Sequence, residues 1–596
     1  MPGLQEGRLQ RREVIPEPAL TPGRGLLAAG RREAGTWKLE PSAFLKQTGA
    51  ASEADYKRGR MAEGRVMLHA QIGYRDAAKT RRAWAEIHAA CAAKGLTLDR
   101  YGICLDWSMG FLAAEREGRP RGTGLILDAP EAFAALTAAA PVAPHFGDFV
   151  LGFPAALENT KAALAAGCSA IGNLGQYFTF RLPRLDDDVA ATEATVAALG
   201  LIAAQEAEIL VHSNLDDGFA ALFSDLTCCL GAALIEAHIV EDLIGARIGH
   251  CFGHHFSEPL ARLAFQRALA QASETPGTMI FGNTVAYRGG AAENFASLGS
   301  YLLVDILGQR LQPSGHAVNA VPVLENRRIP DVEEIVEAQL FAGRLIEQAA
   351  GYEALLDLEA ADALTECLLE GGRAFRDRVL QGLAEAGFDT SDPLELLLAL
   401  RRIGGRRLEA LFGPGAEDSA APHGRAPLVP ATTYEELDRR AAAVLAAVDA
   451  GSRTRLAGAG LSVLVASTDV HEHGKLLVER VLDGLGLRLI DGGVSSDPEH
   501  LAALAAEAGA DVLAVSTYNG VALRYLEALQ AELQIRDLAL PVLIGGRLNQ
   551  VPDSSNSSLP VEVAGELALA GAVVCHEVAD ALPALLALAA EKETAA

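Results

Sequence analysis

Lysine is scarce in this chain of 596 residues: it stands only at 38, 46, 57, 79, 94, 161, 475 and 592, and arginine makes up the rest of the 51 basic side chains. Chemistry that begins with a lysine Schiff base therefore has few places to start. CxxC pairs are lacking among the eight cysteines, which are scattered through apolar stretches. That pattern fits a reducing cytoplasm better than a disulfide framework. No run reaches about 18 uninterrupted apolar residues, the length a membrane-spanning helix needs, and the first thirty residues mix Arg with Glu around no secretory apolar core. Positive charge is in deficit as well, with 77 acidic residues and a net charge of −26. Such a surface repels phosphate backbones and anionic membranes. The expectation is a cytoplasmic protein whose partner is a small molecule rather than a nucleic acid or a membrane, assembled as a homodimer.

Half of the residues are apolar and 21% are charged, the balance of a globular protein. Residues 1–60, rich in Arg, Pro and Gly, show no sustained period and read as an arm on the surface or partly mobile. Across 61–413, short β-type runs at 103–107, 123–127, 149–152, 169–172, 209–212, 247–250, 279–282 and 317–321 alternate with Ala/Leu-rich helical stretches. Eight such runs predict an α/β class and a (β/α)8 TIM-type barrel. Residues 414–433 (PGAEDSAAPHGRAPLVPATT) carry neither period and read as a linker. In 434–596 one helix precedes five further β runs, at 461–467, 487–493, 511–516, 540–546 and 570–575. They predict a flavodoxin-like doubly wound sheet, which binds ligands beyond the carboxyl ends of its strands.

The first of these later runs leads through Thr468 into Asp469-Val470-His471-Glu472-His473-Gly474. A histidine on such a loop suits a metal, and an aspartate two residues earlier can fix its tautomer. The third run ends in Ser516-Thr517-Tyr518 and the fourth in Gly545-Gly546, with 41 residues between Gly474 and Ser516 and 26 between Tyr518 and Gly545. This pattern resembles the DxHxxG, SxL, GG fingerprint of base-off/His-on cobalamin domains. The resemblance implies that His471 is the lower axial ligand of cobalt with Asp469 behind it. It also implies that Ser516 meets the displaced nucleotide tail and that Gly545 and Gly546 let that tail enter. Tyr518 stands where the family usually has leucine, which implies a changed pocket wall. His473 and His500 read as helix-surface residues, and Lys475 as a solvated one.

The second half resembles the small subunit of glutamate mutase through Ile490-Asp491-Gly492-Gly493-Val494-Ser495-Ser496. Residues 150–413 more weakly resemble that enzyme's large subunit. The resemblance implies an adenosylcobalamin-dependent radical carbon-skeleton mutase acting on a small acid. The family's substrate-binding glutamate becomes Leu174, a substrate-carboxylate arginine falls near Gly152, and two pocket tyrosines become Phe180 and Arg184. Glutamate itself is then not the expected substrate. The candidate catalytic residues at strand ends are Asn173, Gln176, Tyr177, His212, Asn214 and His250, with His254, His255 and Asn283 nearby in sequence. The alternatives are a non-catalytic cobalamin-binding protein, a pyridoxal-phosphate aminomutase drawing on Lys161, and a corrinoid methyltransferase. The last resembles proteins with a four-helix cap before the B12 domain, for which one helix leaves no room.

Overall fold

Runs of Val, Ile, Leu and Ala too short for buried helices, separated by amphipathic helices, pair as parallel strands because each helical crossover returns the chain to the same sheet edge. The computed structural model describes residues 9–119, 121–122, 124–185, 187–253, 256, 258–287, 290–325, 328–468, 472–518, 520–551 and 561–595. It forms two compact units, one of Met1–Thr179 with Asp187–Thr432 and one of Phe180–Asp186 with Thr433–Ala596.

In the first unit the strands are β1 (Leu68–Ile72), β2 (Arg100–Ile103), β3 (Ala143–Phe146), β4 (Ala170–Ile171), β5 (Leu210–Asn214), β6 (Arg247–Phe252), β7 (Met279–Ile280) and β8 (Ala317–Asn319). They run parallel in the order β3-β2-β1-β8-β7-β6-β5-β4, a TIM-type barrel. Side chains close the seam between β3 and β4. His145 Nδ1 lies 3.0 Å from the Ala170 carbonyl, and Cys168 Sγ lies 3.1 Å from that of Pro144. A carbonyl only accepts, so Nδ1 carries the ring hydrogen of His145.

Two of the expected strands are absent and two others take their place. Around 123–127 the chain is a loop tied back to Asp106, whose carboxylate accepts from the backbone N–H groups of Gly122 and Gly124 at 3.1 and 3.2 Å. Around 149–152 the chain is likewise non-strand, turning through positive φ at Phe149 and Gly152. The actual β1 and β3 carry His69, Gln71, Pro144 and His145, which break the apolar run that signals a strand in sequence.

The expected surface arm is largely helical, with Gly23–Glu33, Ala43–Thr48 and Glu53–Ala62, and its last helix forms the barrel floor. Glu53 and Lys57 are each 1% exposed. Glu53 Oε1 accepts from Arg100 Nε at 2.9 Å, and Lys57 Nζ donates to the carbonyls of Thr278 and Gly315 at 2.9 and 2.7 Å. Burial pulls the Lys57 ammonium down to about 8, opposed by the charge of Glu53. Residues 414–431 are no free linker either. Asp225 accepts from the N–H groups of Leu428 and Val429, and Glu409 holds both Ser224 and His423. Among the described residues no helix is long and apolar enough to cross a membrane.

The second unit has β9 (Ser462–Ser467), β10 (Arg488–Asp491), β11 (Val512–Thr517), β12 (Val542–Gly546) and a fifth strand, Val573–Cys575. Their order, β10-β9-β11-β12 and then the fifth, is the flavodoxin-like 2-1-3-4-5. Helices Thr432–Ala447 and Ala450–Gly458 precede β9, two where one was expected.

The floor pairing yields a test. Glu53→Ala leaves Arg100 and Lys57 buried without their counter-ion, which costs about 3–5 kcal/mol. All three tryptophans, 37, 84 and 107, lie in the barrel unit, so tryptophan fluorescence in urea reports that unit alone. The midpoint of the variant should fall well below that of the parent, and an equal midpoint would show the pair to be dispensable.

Candidate functional site

In a parallel barrel the carboxyl ends of the strands converge on one rim, and reacting side chains gather there. In this chain a line of hydrogen bonds climbs the interior to that rim. It starts at Arg100, 1% exposed, whose Nη1 lies 3.3 Å from His69 Nδ1. Because the guanidinium only donates, Nδ1 accepts and His69 Nε2 carries the hydrogen, donated to Gln71 Oε1 at 3.1 Å. Gln71 Nε2 then donates to Cys104 Sγ at 3.0 Å, and the Cys104 thiol is hydrogen-bonded to Asp148. From the other side Gln176 Nε2 donates to Asp148 Oδ1 at 3.0 Å, while its Oε1 accepts from the N–H of Phe149.

A second carboxylate closes the group. Asp217 Oδ2 accepts from Asn173 Nδ2 at 2.9 Å and Asn214 Nδ2 at 3.1 Å. Asn173 Oδ1 in turn accepts from the N–H groups of Gly175 and Asn214. Burial and then the negative charge of Asp217 push the Asp148 carboxyl up to about 7. A carboxyl in that range exchanges its proton near neutral pH, which suits general acid–base work.

Of the candidates from sequence, Asn173, Gln176 and Asn214 meet at this rim. His212 lies deeper: its Nδ1 sits 2.8 Å from Thr278 Oγ1, and its ring is 4.2 Å from that of His145. Burial, and then the nearby Arg100, hold both imidazoles far below their usual range, so both are neutral. Tyr177 and His250 do not belong to the group. The Tyr177 hydroxyl bonds Thr192 at 2.7 Å on the outer helix Asp188–Ala203. His250 Nε2 meets Glu236 at 3.1 Å on the helix Leu226–Ala237, as does Ser213, its neighbour across the ladder. Side chains alternate along a strand, so a polar residue near a strand end has an even chance of facing the helices. Asn283 is buried at the end of β7, and His254 and His255 lie outside the described residues. Leu174 is fully buried, and Lys161 pairs with Glu33 at 2.9 Å. Phe180 and Arg184 fall on the segment that belongs to the second unit, where the N–H of Arg184 donates to Asp497. Sequence reading missed Gln71, Cys104, Asp148 and Asp217. The last was within reach, three residues after Asn214 at the end of an expected strand.

In the second unit the switch point of the sheet falls between β9 and β11, where the strand order reverses. Thr468, 5% exposed, donates its N–H to the Ser516 carbonyl at 2.9 Å. A Cβ at Gly474 would meet the Ser516 hydroxyl, and one at Gly545 would come within 3.0 Å of the Cys575 carbonyl. Gly546 has φ +100°, and a Cβ there would collide with the Thr517 carbonyl. These glycines therefore keep bare backbone around the carboxyl edge. The Thr517 hydroxyl, 2% exposed, has no partner among the described residues. Glu472 opens the helix Glu472–Gly484, whereas Asp469, Val470 and His471 lie outside the described residues. Lys475 is buried, not solvated, with Nζ 2.5 Å from Glu479 and 2.8 Å from Asp491. Burial opposes its charge, but the two carboxylates outweigh burial and raise it.

Scans against protein families and against curated proteins find no match. Among solved structures the chain is similar to a novel cobalamin-binding protein from Desulfitobacterium hafniense DCB-2. The match has 20% identity and a TM-score of 0.18, over 22% of this chain and 58% of that one. The chain thus spans a little over half the length of that protein, and so small a similarity settles neither fold nor ligand.

The rim generates a pH prediction. Folded Asp148 ionises near 7, while in the unfolded chain it returns toward the ordinary aspartate value of 3.8. As pH rises between those values the unfolded state loses the proton first, so this group's contribution to stability falls across that window and is flat above it. Asp148→Asn removes the dependence. Its urea midpoint relative to the parent should rise from pH 4 to pH 8, and a constant difference would place Asp148 among ordinary carboxyls.

Proposed function

We propose that the chain is an adenosylcobalamin-dependent radical mutase that rearranges a small acid other than glutamate. The observation that carries the reading is the switch point of the second unit, where Gly474, Ser516 and Gly545-Gly546 assemble at one carboxyl edge in the spacing of the cobalamin fingerprint. The residues present fit the group: a Cβ would fill the glycine cradle, and the buried Thr517 hydroxyl has no partner among the described residues. His471 would hold the cobalt, with Asp469 orienting its ring, and Ser516, Gly545 and Gly546 would take the tail. When bound, adenosylcobalamin supplies the weak cobalt–carbon bond from which radical chemistry starts.

The barrel's part is to bind, orient and exclude water. Asp148 and Asp217 are the acidic groups of the rim cluster; Asp217 bears the charge that raises Asp148, which near pH 7 is divided between its neutral and charged forms. They suit an ammonium or hydroxyl on the substrate and repel a second carboxylate. Cys104 and Gln176 hold Asp148 in place, where its carboxyl gives up or takes a proton near pH 7. Asn173 and Asn214 fix Asp217. A non-catalytic cobalamin-binding protein is the second reading, favoured by the way the amides of the rim are already satisfied by its carboxylates and by backbone N–H groups.

Two measurements decide. His471→Ala should weaken adenosylcobalamin binding and abolish the absorbance signature of histidine-ligated cobalt, and an unchanged signature would sink the axial assignment. Mixing the loaded chain with a panel of branched and linear acids, amino acids included, should give a paramagnetic signal with one of them. L-glutamate should give none, because its second carboxylate would lie against Asp217 with no cation among the described rim residues and lose several kcal/mol. Silence across the panel would favour the non-catalytic reading, and brisk turnover of glutamate would overturn the rim as the substrate site.

A further inference from the structure

Two cations of the second unit, Lys475 and Arg547, are treated differently. Lys475 is neutralised by Glu479 and Asp491. Arg547, directly after Gly545-Gly546, has no carboxylate partner among the described residues. Its backbone N–H donates to the Thr517 carbonyl at 2.8 Å, which pins it beside the end of β11. Its guanidinium lies 4.3 Å from the centroid of the Tyr518 ring, the residue that replaces the fingerprint's leucine. The ring face attracts the cation and holds it without cancelling its charge. In a chain of net charge −26, a guanidinium with no carboxylate partner among the described residues, beside bare glycine backbone, is a place where a small anionic group is accepted, and the planar fork of arginine matches phosphate oxygens.

Resting on the cobalamin reading above, we infer that Arg547, held by Tyr518, is a specificity residue that reads the phosphodiester of the cofactor's nucleotide tail, and that Tyr518 supplies the polar aromatic wall beside it. A leucine wall would accept the tail by apolar contact alone. Here part of the recognition is ionic, so it weakens with salt and vanishes for a corrinoid that has no phosphate.

The test compares adenosylcobalamin with cobinamide, which has the same corrin ring and no nucleotide, by absorbance titration of the full-length chain at low and high salt. Arg547→Ala should weaken adenosylcobalamin about tenfold or more, the loss expected for a hydrogen bond to a charged group. It should also flatten the salt dependence and leave cobinamide within about twofold. Arg547→Lys should keep the salt dependence with intermediate affinity, because the charge stays and the fork is lost. Tyr518→Leu should shift adenosylcobalamin in the same direction by less. An unaltered thermal melt shows that each variant is folded. Equal losses for the two corrinoids, or an Arg547→Ala affinity and salt dependence like the parent's, would overturn the inference while leaving cobalamin binding intact. A parent chain that binds neither corrinoid would instead bring down the cofactor reading and this inference with it.

Discussion

The buried pair of Arg100 and Glu53 organises the barrel unit. A guanidinium at the base of β2 is intolerable inside a barrel without a carboxylate, and that carboxylate comes from the helix Glu53–Ala62, which precedes the first strand. That helix is therefore the floor of the barrel and no appendage to it. With the cation fixed, His69 has only one tautomer open to it, and the direction of each hydrogen bond above it follows up to Gln71 and Cys104. Asp148 stands at the end of that line.

The same constraint explains why His69, His145 and His212 are neutral. His69, His145 and His212 surround a permanent positive charge in a dry space, and both burial and that charge disfavour a second proton on any of them. Positive charge is thus kept deep in the barrel, and the rim is left with two carboxylates and several amides. The second unit solves a different problem. Its parallel sheet leaves the carboxyl edge open at the point where strand order reverses, and glycine at 474, 545 and 546 keeps that edge free of side chains where backbone crowds backbone.

Much of this architecture is legible in the sequence. The alternation of short apolar runs with helices predicts both parallel sheets, and the later five runs match five strands, most plainly at the centre of the sheet, where Ser462–Ser467 and Val512–Thr517 are buried on both faces and read as nearly continuous Val, Leu and Ala. The barrel's first half is harder to read. Leu68–Ile72 and Ala143–Phe146 carry His69, Gln71, Pro144 and His145, and a polar residue inside a barrel is indistinguishable in sequence from one on a loop. The floor helix is hidden for the same reason, since Glu53 and Lys57 read as surface charges until their partners are in view.

By itself, then, the sequence determines that the chain is acidic, that it alternates strand and helix, and that glycines and hydroxyl residues recur at the spacing of a cobalamin fingerprint. These are local properties, fixed by composition and period. Which way each polar side chain faces is decided only by the tertiary structure. His250 and Tyr177 turn to the helices while His212 turns inward, and Asp148 and Asp217, 69 positions apart, meet at one rim. The physical reason is that strand register and barrel closure assign each residue its face, and burial then selects the partners that a charge or an amide must have.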